Sequence, residues 1–217
     1  MRPITVNMDL DTVDVNNVFE DQQLVGAGDF TLDGAGVTSG VWTSGDGFAK
    51  IISFESSANL SAVTLTITGF SDINKNHAIT EDLLAPNATT TESTKYFAVI
   101  TQIAADGAIG TNIESGFSDE AVSQIVALNW RASPFVVGIG AVVTGTINYT
   151  LQHSFDDPQL GAEAMTWFDY DISDMASATA TADGNYSASV LATRQKVNSY
   201  SAGAALKTTW IQGQGGN

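Results

Sequence analysis

The sequence predicts an all-β protein: two β-sandwich or jelly-roll-like modules with an extended acidic arm at the N-terminus. Three observations carry that prediction. Thr, Ser, Val, Ala, Gly and Asn are plentiful while only eight residues are Lys or Arg, whereas exposed helix faces are built from long charged side chains. Two segments alternate with a period of two. Val63, Leu65 and Ile67 interleave with Thr64, Thr66 and Thr68, and Ile147, Tyr149 and Leu151 interleave with Thr146, Asn148, Thr150 and Gln152. Turn signals recur at roughly the 8–12 residue spacing of sandwich strands, with no long amphipathic helix between them.

Taken in order, residues 1–46 are the most acidic stretch. Asp9, Asp11, Asp14, Glu20, Asp21, Asp29, Asp33 and Asp46 stand against Arg2 alone, with six glycines between them. Short apolar islands (Ile4, Val6, Val18, Phe19, Leu24, Val25) spaced by turn formers read as an extended arm or an edge layer, ordered against a neighbouring subunit. Residues 47–118 read as a first β module. Its strands are expected at 50–54, 61–68, 78–84 and 95–103, the last closed by the turn pair Asp106-Gly107.

Residues 119–217 read as a second module. Residues 120–128 are compatible with a short helix or a strand. Trp130 before Pro134 reads as packing between the modules. Residues 135–143 read as a buried strand with a bulge or close contact at Gly138 and Gly140. The alternating segment 146–152 continues through His153 to Asp156-Asp157-Pro158. A long excursion over 158–186 carries Trp167 and Phe168. Strands at 186–191, 194–197 and 204–211 close the module, with Trp210 in the core.

Composition also bounds function. Twenty-four acids against eight bases give a formal charge of −16, which disfavours nucleic acid as a partner. The chain has no cysteine, which removes disulfides, thiolate metal sites and a cysteine nucleophile. No apolar run reaches the roughly 20 residues of a membrane-spanning helix, and residues 1–20 do not resemble a secretory signal. No membrane partner is expected.

The residues that carry chemistry elsewhere point to none here. His153, followed by Ser154, Asp156 and Asp157, lacks a Gly-x-Ser-x-Gly elbow and reads as a structural histidine at a strand end. His77, in a polar loop, carries no assigned role. The carboxylate pairs Asp156/Asp157, Asp169/Asp171 and Asp119/Glu120 read as solvated surface rather than a glycosidase dyad. The run Asp169-Tyr170-Asp171-Ile172-Ser173-Asp174 lacks the glycine and terminal glutamate of an EF-hand. The Gly-x-Gly pairs at 26/28, 34/36 and 138/140 lack the context of phosphate cradles and read as turns and bulges. No catalytic, metal or cofactor-binding residue is therefore assigned, and no cofactor is expected. Trp42, Trp167 and Phe168, in irregular polar segments, are the expected interface anchors, because aromatic side chains dominate protein contacts.

Several runs resemble structural proteins of tailed bacteriophages. They are Ser61-Ala62-Val63-Thr64-Leu65-Thr66-Ile67-Thr68-Gly69, Ala78-Ile79-Thr80-Glu81, Pro86-Asn87-Ala88-Thr89-Thr90 and Ser93-Thr94-Lys95-Tyr96-Phe97. In the second half come Leu128-Asn129-Trp130-Arg131, Thr144-Gly145-Thr146-Ile147-Asn148-Tyr149-Thr150-Leu151-Gln152-His153, Phe155-Asp156-Asp157 and Trp210-Ile211-Gln212. The resemblance spans residues 50–212. It implies a non-enzymatic virion part assembled in the host cytoplasm: a capsid decoration or cement protein contacting the major capsid protein or neighbouring virion subunits, and a homo-oligomer. The alternatives are a tail or head–tail adaptor component that attaches fibres, and a carbohydrate-binding β-sandwich.

Overall fold

The computed structural model describes residues 3–132, 135–170 and 175–213. They form eighteen strands and two single-turn 3-10 helices, so the chain is nearly all β. It divides into two compact units, one of Val13–Asp119 and one of Met1–Thr12 with Glu120–Asn217.

Strand β1 (Ile4–Asp9) opens the unit formed from both ends of the chain. Then come β2 (Asp14–Leu24), β3 (Gly28–Asp29), β4 (Val37–Thr38), β5 (Val41–Thr43), β6 (Ala49–Glu55), β7 (Thr64–Phe70), β8 (Ala78–Leu84), β9 (Thr90–Phe97), β10 (Val99–Ala105) and β11 (Ile109–Val122). The remaining strands are β12 (Val126–Ala127), β13 (Val137–Thr144), β14 (Ile147–Ser154), β15 (Phe168–Asp169), β16 (Ala182–Tyr186), β17 (Ala192–Tyr200) and β18 (Ala205–Gln212).

In the unit Val13–Asp119, one layer runs β4-β5-β10-β7-β8 with β3 against β10, and the other is built from β6, β9 and β11 with β2 against β11. Both layers feed one core: Leu65, Ile67, Ile100 and Ile103 from the first, Ile52, Phe54, Phe97, Ile113 and Phe117 from the second. This is the sandwich the alternation predicts. The single strand expected over 95–103 is two. The chain changes layer at buried Ala98, because Phe97 pairs with Lys50 of β6 while Val99 pairs with Phe70 of β7. Strand β6 is buried along both faces from Ala49 to Phe54. Its buried charge, Lys50, pairs with the equally buried Asp46 carboxylate and lies 5.2 Å from the centre of the Phe117 ring. An uncompensated ammonium there would be costly.

Of the two readings of residues 1–46, the strands found here fit edge pieces within each unit. β1 lies antiparallel on β18 with Ile4 opposite Trp210, and β2 lies on β11. In β1 the side chains alternate, with Val6 and Met8 buried and Asn7 and Asp9 exposed, while in β2 the neighbours Val18 and Phe19 are both buried and Val25, just beyond it, is exposed. The alternation in β1 is a strand's own pattern; the acids that follow obscure it to a reader who weighs charge. Gly116 of β11 makes the crossing of β2 possible, since a Cβ there would overlap the backbone of Asp14 and Val15.

The other unit holds a four-stranded sheet, β1-β18-β13-β16, and a row β15-β14-β17 with β12 and the end of β11 (Ala121, Val122) on β17. Residues 120–122 are therefore strand, which corrects the helical alternative for 120–128. The 3-10 turns lie instead at Pro158–Leu160 and Ala162–Ala164. Gly138 and Gly140 sit on the exposed side of β13 in unbroken register with β18, so no bulge is present. Trp210 is buried as expected, whereas Trp130 is 47% exposed and carries the Arg131 guanidinium 4.8 Å from its ring. The strand expected at 186–191 lies earlier, as β16.

Candidate functional site

The excursion between β14 and β16 makes the most distinctive surface. Part of it runs beside β14 as a substitute neighbour strand. Phe168 and Asp169 pair with His153 and Gln152, the Leu151 N–H donates to Met175 O, and Ala178 bridges Tyr149 in both directions. Backbone groups that an edge strand would leave open are thereby filled.

Gln152 stands opposite Asp169 on one neighbour and Arg194 on the other. Its amide nitrogen donates to Asp169 Oδ1 and its amide oxygen accepts from Arg194 Nε, both at 2.8 Å. The Arg194 guanidinium also lies 4.2 Å from the centre of the Trp167 ring, whose Nε1 donates to Ala162 O. Trp167 is thus half-buried and engaged on one face by a cation.

The next residue along each strand builds an aromatic series. Tyr170 and Tyr186 meet edge to face at 5.0 Å, and Tyr186 meets His153 at 5.4 Å. His153 then contacts Phe155 at 5.5 Å and Phe168 at 5.8 Å, and those two phenylalanines lie 5.8 Å apart. Both tyrosines are buried, and burial pushes the Tyr186 phenol well above its ordinary range. At the outer end Phe155 is 52% and Phe168 46% exposed. Leu160, in the turn that follows Phe155, is exposed as well. The series is an apolar wedge that begins in the core and ends in water.

Carboxylates flank it. Asp156 accepts from the Thr166 N–H and Asp157 from the Gln159 N–H, capping the 3-10 turn. These bonds give both acids structural work. Asp169 is held by Gln152, while Asp171 and the rest of the run to Asp174 lie outside the described residues. His153 sits among rings rather than against a nucleophile. Among the described residues no group of three or more His, Cys, Asp or Glu side chains could hold a metal ion.

Of the three expected anchors, Phe168 is at the surface end of this wedge and Trp167 is its half-buried neighbour. Trp42 is corrected: it is fully buried in the other unit, and its Nε1 donates to Asn17 Oδ1 at 2.7 Å. Gly36 permits this, since a Cβ there would overlap the indole and the Asn17 side chain. Gly36 therefore signals close packing, where the sequence suggests only a turn. Phe155 is the exposed ring that sequence reasoning missed; its signal is an apolar ring just beyond a strand end, beside the turn Asp156-Asp157-Pro158.

Two other polar clusters lie in the unit Val13–Asp119. Burial pushes the Asp72 carboxyl up, but bonds from the Asn76 and His77 N–H groups and from the His77 ring outweigh it and hold it below the ordinary value. Glu114 is pushed up, first by burial and then by the negative charges of Asp21, Glu55 and Asp14. No helix among the described residues is long and apolar enough to cross a membrane. Neither a protein-family model nor a curated protein matches the chain.

Proposed function

We propose that the chain is a non-enzymatic structural protein of a tailed-phage virion, a capsid decoration or cement protein that attaches to major capsid subunits through the Phe155–Phe168 surface. The class comes from the resemblance over residues 50–212. The observation that supports a contact role is the exposed ring pair at the end of a rigid aromatic series. Two adjacent phenylalanines in water lose little conformational entropy when a partner covers them, because the rings behind already fix them. Repetition over a symmetric shell multiplies modest single contacts.

Quantitative mass spectrometry of purified virions tests this reading. Copy numbers on the order of hundreds per particle fit the head, whereas six to a few dozen fit a tail or adaptor component. Absence from the particle overturns the proposal. The carbohydrate-binding alternative draws on the same rings, since flat exposed aromatics also stack on sugars; glycan-array binding that disappears with Phe155→Ser would favour it.

A further inference from the structure

The charged residues beside Phe155 and Phe168 along the chain are acids. Asp157 and Asp169, each within two residues of a ring, are exposed, and Glu163 in the second 3-10 turn is half-buried. The cation nearest in the strand register is Arg194, itself buried and engaged by Gln152 and Trp167. Charges act on a bound group over about one Debye length, about 8 Å at physiological salt, and Asp157 and Asp169 lie next to the rings along the chain. A second copy of this chain is a poor occupant, because its −16 charge would set acid against acid.

We propose that this surface is a socket for a partner protein segment that presents an apolar side chain flanked by Lys or Arg. The apolar group covers the two phenylalanine rings, and the flanking cations meet Asp157, Glu163 and Asp169. This rests on the reading of the ring pair as the attachment surface and adds the chemistry of what attaches. Apolar contact sets the position; the acidic rim sets the choice of partner and speeds encounter.

The test uses the full chain and two synthetic peptides that share a Leu-Phe centre, one flanked by paired lysines and the other by paired glutamates. Isothermal titration calorimetry at low and physiological salt reads binding. The expected result is binding of the lysine-flanked peptide alone, weakened several-fold as salt rises. Asp157→Asn/Glu163→Gln/Asp169→Asn removes the charge while leaving one acceptor oxygen at each position, and should lower affinity about 10-fold and flatten the salt dependence. Phe155→Ser/Phe168→Ser should abolish binding. Equal binding of both peptides, no binding of either, or an unaffected charge-neutralised variant overturns the proposal. The salt series on the unmodified chain decides even if the ring variant fails to fold. The outcome is separable from the functional reading. Virion attachment lost with the ring variant but kept with the charge variant would leave the attachment surface standing and sink only the partner chemistry. A protein absent from virions would sink the virion reading whatever the peptides do.

Discussion

Strands β7 and β14 carry nearly the same pattern in the two units, yet their second faces have different fates. In β7, Leu65 and Ile67 are buried and Thr64, Thr66 and Thr68 are half-buried, with Thr66 Oγ1 donating to the exposed Asp82 of β8. In β14, Ile147, Tyr149 and Leu151 are buried in the same way, but Thr150 is only 3% exposed and Gln152 is buried too. Thr150 Oγ1 accepts from the Ser177 N–H and from Asn198 Nδ2. A segment some twenty-five residues further along the chain covers it. Alternation therefore identifies the core face; whether the polar face meets water depends on where a remote loop returns.

Truncation at the shared face should have the largest effect and should not distinguish the units. Leu65→Ala and Leu151→Ala are each expected to cost about 2–5 kcal/mol, checked by chemical denaturation. A cost near zero at either one would place that strand's register one residue off. The polar faces should then separate the two strands. Thr150→Val leaves a backbone N–H and an amide without their acceptor and should cost about 1–3 kcal/mol, whereas Thr66→Val loses a bond at the surface and should cost less than about 1 kcal/mol. Equal costs would break the comparison.

Electrostatics sharpens it with smaller effects. The folded-state carboxyl of Glu114 titrates above its unfolded value, so its contribution to stability is fully present below the unfolded pKa and is lost as pH rises through the folded one. Glu114→Gln should therefore raise the melting temperature slightly at neutral pH and leave it unchanged in acid. Asp72 runs the other way: its contribution is present above the unfolded pKa and is lost as pH falls through the depressed folded one. Asp72→Asn should destabilise at neutral pH and have its smallest effect in acid. Thermal melts from neutral pH down to below the ordinary carboxylate range check both signs.

The fold class, both alternating strands and the core position of Trp210 were legible because each is a local pattern: period two, β-branched enrichment, an aromatic in an apolar run. Residues 1–46 were hard to read because charge and apolar residues coexist there; burial follows the alternation in β1, whereas in β2 it takes the neighbours Val18 and Phe19 together. The place of Trp42 was hidden because its partners, Asn17 and Gly36, gain meaning only once β2 and the 34–36 turn are folded against it. Phe168 was legible as an exposed aromatic. Its partnership with Phe155 and His153 depended on strand register that periodicity does not supply.

The pairing of β1 with β18 sets a clock. Ile4 meets Trp210 across the sheet, so this strand leaves a ribosome about two hundred residues before its hydrogen-bonding partner. At about 5–20 residues per second, Val6 and Met8 wait roughly ten to forty seconds before the surface that covers them exists, while the whole of Val13–Asp119 can fold in the interval. Asp9 at the end of this strand, and Asp11 and Asp14 just beyond it, then have a role that no static contact reveals. They keep an orphan strand dispersed in the crowded interval before its neighbour arrives.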